Sequence, residues 1–115
     1  MAAKYVISKT SNGKYHFVLK AANGEVILSS QTYEALDGAT KGIDSVKANG
    51  PQDAKYQRLT SKKNEPYFTL LSENGQIVGQ SEMYSSERAR DGGIASVKAN
   101  CGAAVEDQSA PKPAA

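Results

Sequence analysis

The chain has 115 residues, 14 Lys and Arg against 12 Asp and Glu, a formal charge of +2, and one cysteine. This length fits one domain, and half of it would bury too little apolar surface to be comfortably stable alone. The even mix of signs makes no case for a polyanion partner, Cys101 has no mate for an internal disulfide, and no long apolar run or secretory start is present, so a cytoplasmic, non-membrane protein is expected.

Lys4-Tyr5-Val6-Ile7-Ser8 reads as a strand from its β-branched and aromatic content, closed by the turn Thr10-Ser11-Asn12-Gly13. Tyr15 to Lys20 alternates: Tyr15, Phe17 and Leu19 share one face, and His16, Val18 and Lys20 the other. Asn23-Gly24 tolerates the positive φ of a tight hairpin and leads into a third strand over Glu25 to Ser29. From Ala35 to Ala48 the period lengthens: Ala35, Ala39, Gly42, Ile43 and Val46 fall on one side of a helix, and Asp37, Lys41, Asp44 and Lys47 on the other. Gly50 before Pro51 is expected to end this helix in a left-handed cap.

The plan then returns. A shift of 51 positions lays Tyr5–Asn49 over Tyr56–Asn100 with about fourteen of forty-five residues identical, including Asn23-Gly24 on Asn74-Gly75 and Gly42-Ile43-x-Ser45-Val46-Lys47-Ala48-Asn49 on its copy from Gly93. Strands are expected near Tyr56–Thr60, Tyr67–Leu71 and Gln76–Gln80, and a helix from about Ser86 to Ala99 with Ser85 as its cap. Glu34 occupies the matching place in the first copy and caps poorly, so Thr32 is the candidate there. Pro66 replaces Tyr15 and marks a strand start or edge; Arg58 replaces Ile7 and Gly79 replaces Leu28, so any ligand site should occur once. Ala103 to Asp107 is read as a short closing strand.

The residues predict an α+β chain of two β-β-β-α copies that share one core. One domain over 1–109 is expected, built of repeats 4–50 and 54–108 and followed by a disordered tail, 110–115. The ordered set formed by the aromatic strand, Lys20-Ala21-Ala22-Asn23-Gly24-Glu25-Val26-Ile27, Ser30-x-x-Tyr33 with Ser81-x-x-Tyr84, and Gly-Ile-x-Ser-Val-Lys resembles the YegP-like family of small bacterial proteins, whose function is uncharacterised. The resemblance spans roughly Lys4 to Asp107. It implies an α+β fold of two tandem β-β-β-α-β repeats sharing a single antiparallel sheet, with two helices packed on one face about a pseudo-twofold axis. The terminal strands would be exchanged between the units, near Ala54–Tyr56 and at Ala104–Asp107, and the resemblance brings no catalytic or cofactor residue.

The residues alone support no enzyme. His16 is the only histidine, no Cys/His cluster has zinc spacing, and no constellation combines nucleophile, base and oxyanion donor, so no metal, cofactor or catalytic residue is expected. Cys101 is a thiol whose counterpart is Gly50. Gly42 and Gly93 inside helices point to close packing on the sheet. Tyr33 and Tyr84 fit either a core-edge role or the mouths of a groove, and Lys47 and Lys98 suit the negative ends of their helix dipoles. The expected role is a protein- or ligand-interaction module acting as a monomer, with a surface carrying His16, Val18, Tyr67, Thr69, Tyr33 and Tyr84. The alternative is a nucleic-acid-binding module using exposed aromatics with Lys62, Lys63, Arg88 and Arg90.

Overall fold

Alternating strand residues supply one apolar face, which two amphipathic helices cover. The computed structural model describes residues 3–108. The tail expected over 110–115 lies outside the described residues. The chain runs β1 (Lys4–Lys9), β2 (Tyr15–Lys20), β3 (Val26–Ser29), α1 (Leu36–Asn49), a 3-10 turn (Asp53–Lys55), β4 (Tyr56–Thr60), β5 (Pro66–Leu71), β6 (Ile77–Gln80), α2 (Glu87–Asn100) and β7 (Ala104–Asp107). One sheet takes the order β4-β5-β6-β3-β2-β1-β7. Two three-stranded meanders thus meet back to back through β3 and β6.

The sheet is mixed rather than antiparallel throughout, because β7 lies parallel to β1, with Lys4 opposite Ala104 and Val6 opposite Glu106. A parallel neighbour is reached only by a crossover, here through α2, and no hairpin turn exists from which its direction could be read. β7 is the exchanged strand of the second unit. The first unit forms no counterpart: Asp53–Lys55 make the 3-10 turn and Tyr56 already opens β4.

Tyr5, Phe17, Leu19, Leu28, Phe68 and Leu70 point into the core, where they meet Ala39, Ile43 and Val46 of α1 and Ile94 and Val97 of α2. Asp37, Lys41, Asp44 and Lys47 stay exposed. In the two Asn-Gly hairpins the glycine alone takes positive φ, +86° at Gly24 and +82° at Gly75, while the Asn23 side chain accepts the Glu25 amide hydrogen bond at 3.0 Å; in the β4–β5 turn Asn64 takes that role at +63°. Pro66 opens β5, and its missing N–H leaves an asymmetry. Tyr15 and Tyr33 exchange two backbone hydrogen bonds, whereas Pro66 accepts one from Tyr84 and returns none.

Both helix-end expectations need correction. α2 is capped by Ser86, one residue after Ser85: its Oγ accepts from the Ala89 amide at 3.0 Å. The equivalent cap of α1 is Ala35, which offers no side-chain acceptor, and Thr32 does not substitute. Ala35→Ser is therefore expected to stabilise the protein by about 1 kcal/mol in urea denaturation, by supplying the acceptor that Ser86 provides in the second unit. Gly50 is not left-handed: its φ is −55°. What demands glycine there is a neighbour, since a Cβ would lie 2.7 Å from the Cys101 Cβ and 2.7 Å from the Val46 carbonyl oxygen. Gly50 and Cys101 are equivalent positions of the two repeats, and they meet where the two helix ends converge.

The convergence is tied by a reciprocal pair of hydrogen bonds. The Tyr5 hydroxyl, in unit one, donates to the Cys101 carbonyl at the end of α2, at 2.5 Å. The Tyr56 hydroxyl, in unit two, donates to the Gly50 carbonyl at the end of α1, at 2.7 Å. Each opening strand thereby satisfies a carbonyl orphaned at a helix C-terminus. The Lys47 ammonium sits 5.8 Å from the Tyr5 ring centroid, and Lys98 5.8 Å from that of Tyr56. Asn49 and Asn100 brace the same ends, each side-chain amide donating to the carbonyl four residues earlier.

Candidate binding face over the sheet seam

On the sheet face turned away from the helices, polar and apolar side chains stand together with no described helix packed over them. Cross-strand register builds a row across the whole sheet: Gln57, Thr69, Gln80, Ser29, Val18, Val6 and Glu106. Ser29 opposite Gln80 is the one register pair between β3 and β6. On either side of it the strands diverge, and a groove of about 580 Å3 opens over the seam, lined by Val26, Ser29, Gln31, Ile77, Gln80 and Glu82 together with Ser30 and Ser81.

The two repeated serines at its rim already have full duties. Ser30 Oγ accepts the Phe17 amide at 2.8 Å and donates to the Gln31 carbonyl at 2.7 Å. Ser81 does the same for Phe68 and Glu82, at 3.0 and 2.8 Å. They stitch the strand ends, which explains their recurrence. Recognition chemistry is left to Ser29, Gln31, Gln80 and Glu82, all exposed, between Val26 and Ile77; Ile77 is 47% exposed.

The six surface residues expected from the sequence divide into two sets. His16, Val18, Tyr67 and Thr69 lie on the helix-free face, Val18 and Thr69 flanking the seam pair within the row. Thr69 is buried, its hydroxyl donating to the Gln57 side chain at 3.0 Å. His16 pairs with Ser8 and Tyr67 with Leu59, near the starts of β2 and β5, so the pseudo-twofold places them at opposite margins. Tyr33 and Tyr84 lie on the helix side. Tyr33 stacks on Phe17 at 6.3 Å and 9°, and Tyr84 on Phe68 at 6.3 Å and 11°. Their hydroxyls lie against Gly42 and Gly93, and burial raises both phenol pKa values. The groove residues themselves escaped the sequence reading. The nearest signal was Val26 and Ile77, equivalent apolar residues that open their strands just after polar turns.

Five charges beside β4 are committed to one another. Lys98, Asp53, Arg58, Asp91 and Arg90 form an alternating chain of ion pairs, from 2.6 Å for Lys98 to Asp53 to 3.4 Å for Arg58 to Asp53. The Lys98 hydrogen bond, then that of Arg58, holds the Asp53 carboxyl below its usual range. Arg90 is 8% exposed and bonded to Asp91, which removes it from the proposed phosphate contacts. Burial pushes the Cys101 thiol up, away from an activated thiolate. Among the described residues no three His, Cys, Asp or Glu side chains gather as a metal-holding group, and no helix is long and apolar enough to cross a membrane.

Relatives share this frame. A UPF0339 protein of Shewanella oneidensis is 51% identical over 100 residues, 87% of this chain and 91% of that protein. The UPF0339 protein YegP of Escherichia coli K12 is 47% identical over 100 residues, with the same coverage of 87% and 91%. The solution NMR structure of a UPF0339 protein from S. oneidensis superposes with a TM-score of 0.89 at 47% identity, covering 95% of this chain and 93% of that one. That of yegP from E. coli, described as a protein of unknown function, gives 0.91 at 43% identity and covers 97% of each. The family model described as Domain of unknown function (DUF1508) matches twice, over residues 10–57 and 61–107, at the period of the internal repeat. With that doubled match and relatives at about half identity over most of the length, the chain belongs to the DUF1508, or YegP-like, family.

Proposed function

We propose that this protein is a non-catalytic interaction module, monomeric and working in a reducing compartment, whose helix-free face binds a small amphipathic ligand in the groove over the seam. One observation carries the reading. The groove lies where β3 and β6, the meeting strands of the two repeats, share a single register pair, and its volume of about 580 Å3 falls in the range of small-ligand sites. Its ends are apolar, at Val26 and Ile77, and its middle carries the hydroxyl, amide and carboxylate groups of Ser29, Gln31, Gln80 and Glu82. An apolar body with hydrogen-bonding groups along its length would match that order. A non-catalytic role agrees with a lone His16 and a buried thiol of raised pKa.

The test is an amide chemical-shift titration of the labelled protein with size-fractionated small-molecule pools. Perturbations confined to residues 26–31 and 77–82, and lost in Ile77→Glu, are expected. Shifts centred instead on Lys62, Lys63 and Arg88 with added oligonucleotide, falling steeply with salt, would replace this reading by nucleic-acid binding. Silence at the seam with every pool would remove it.

A further inference from the structure

The pseudo-twofold predicts one more strand than the sheet contains. β1 and β4 are equivalent: Tyr5 lies opposite Leu19 as Tyr56 lies opposite Leu70. The outer edge of β1 carries β7, and no described strand lies on the outer edge of β4, which ends the sheet. The reason is covalent. Residues 53–56, which match β7 in the repeat, are used for the 3-10 turn and the start of β4, so the link between the units consumes the strand that would have closed the first.

Burial records the vacancy. Val6 and Ile7, beneath β7, are 4% and 2% exposed, while their counterparts Gln57 and Arg58 are exposed. The Ile7 carbonyl accepts from the Gln108 amide at 2.8 Å, and by the same symmetry the Arg58 carbonyl faces outward. The chemistry of an occupant can be read from the filled edge. Lys4 binds Glu106 at 3.2 Å across the β1–β7 pair. Lys55 is the repeat equivalent of Lys4 and makes no ion pair among the described residues. The neighbouring ion-pair chain holds three cations, Lys98, Arg58 and Arg90, against two carboxylates, so with Lys55 the edge is positive.

We propose that the open edge of β4 is a docking site for an extended acidic peptide of another protein, added as a parallel strand in the register that β7 takes on β1. Backbone hydrogen bonds hold such a strand, and a carboxylate opposite Gln57 would reach Lys55 as Glu106 reaches Lys4. Edge-to-edge pairing of two copies is disfavoured, because a twofold centred on Tyr56–Thr60 sets Arg58 against Arg58. This site is separate from the seam groove and stands or falls without it.

The probe is a blocked synthetic peptide spanning residues 103–108, titrated into the labelled full chain at low salt, with its glutamate replaced by lysine as control. Amide shifts and slowed exchange confined to Gln57–Thr60 are expected, with binding about tenfold weaker for the lysine peptide and for Lys55→Glu. Lys55 is half-buried at a strand entrance, so Lys55→Gln, with an intermediate loss, guards against a folding defect in the charge reversal. Three results would overturn the proposal: no response at β4 with millimolar peptide, shifts confined to β1 as the peptide displaces β7, or a peptide-independent dimer in light scattering, which would make a second copy the occupant.

Discussion

A leucine placed at Gly79 should cost roughly 1–3 kcal/mol of stability, and removing the Leu28 side chain from the same protein should restore most of it. The two positions are repeat equivalents, and they touch: a Cβ at Gly79 would lie 2.7 Å from Leu28 Cγ and 2.8 Å from Cδ2. Leu28 is fully buried, at 0% exposure, so it has nowhere to retreat. Near a twofold axis, two equivalent side chains aimed at the axis ask for one volume. The duplication has resolved this by keeping the leucine in unit one and glycine in unit two. Leu28→Gly alone opens a cavity and should cost at least the 2–5 kcal/mol typical of leucine truncated to alanine. The swap Leu28→Gly with Gly79→Leu moves the side chain across the axis into the space just emptied. In urea denaturation the double variant should therefore be more stable than the sum of the single effects by a few kcal/mol. Additive effects would show that the two residues do not share space, and would sink the account of the asymmetry. Gly50 and Cys101 repeat the arrangement in the opposite sense, with unit two supplying the side chain.

That complementarity marks where the sequence stops being readable. Within each repeat the contacts are short-range, and alternation at Tyr15–Lys20, the glycine turns and the helical period from Ala39 to Val46 state them directly. Leu28 against Gly79 reads in one dimension as drift. Only the pairing of β3 with β6 turns it into a fit, and no local pattern encodes that pairing. Gly50 shows the same limit: its place after a helix suggests backbone freedom, yet its φ is ordinary and its need for glycine comes from Cys101, 51 residues away. The candidate site was legible in half. Alternation put His16, Val18, Tyr67 and Thr69 on the face away from the core, but which of them neighbour the seam depends on strand order. Tyr33 and Tyr84 lie in irregular segments before the helices, where period-two reasoning gives no face, and they pack on the other side.

Gly92 and Gly93 are adjacent in α2 and should respond to alanine with opposite signs. Glycine in a helix interior costs about 1 kcal/mol relative to alanine, so each substitution carries the same intrinsic gain. Around Gly92, an added Cβ meets nothing within 4 Å, and Gly92→Ala should be more stable by up to about 1 kcal/mol. Around Gly93 the Cβ runs into the Tyr84 hydroxyl, with Tyr84 Cζ at 2.6 Å and Phe68 Cε2 at 3.2 Å. The tyrosine cannot easily yield, being stacked on Phe68, so α2 must lift from the sheet and Gly93→Ala should lose about 1–3 kcal/mol despite its better propensity. Tyr84→Phe in the Gly93→Ala background removes the nearest atom and should recover part of the loss, the ring carbon remaining close. The same contact recurs at Gly42, where a Cβ would lie 2.5 Å from the Tyr33 hydroxyl and 2.8 Å from Phe17 Cε2, so Gly42→Ala should behave like Gly93→Ala. Equal gains at Gly92 and Gly93 in thermal and urea unfolding would show that the helix clears the tyrosine, and that these repeated tyrosines are free for another role.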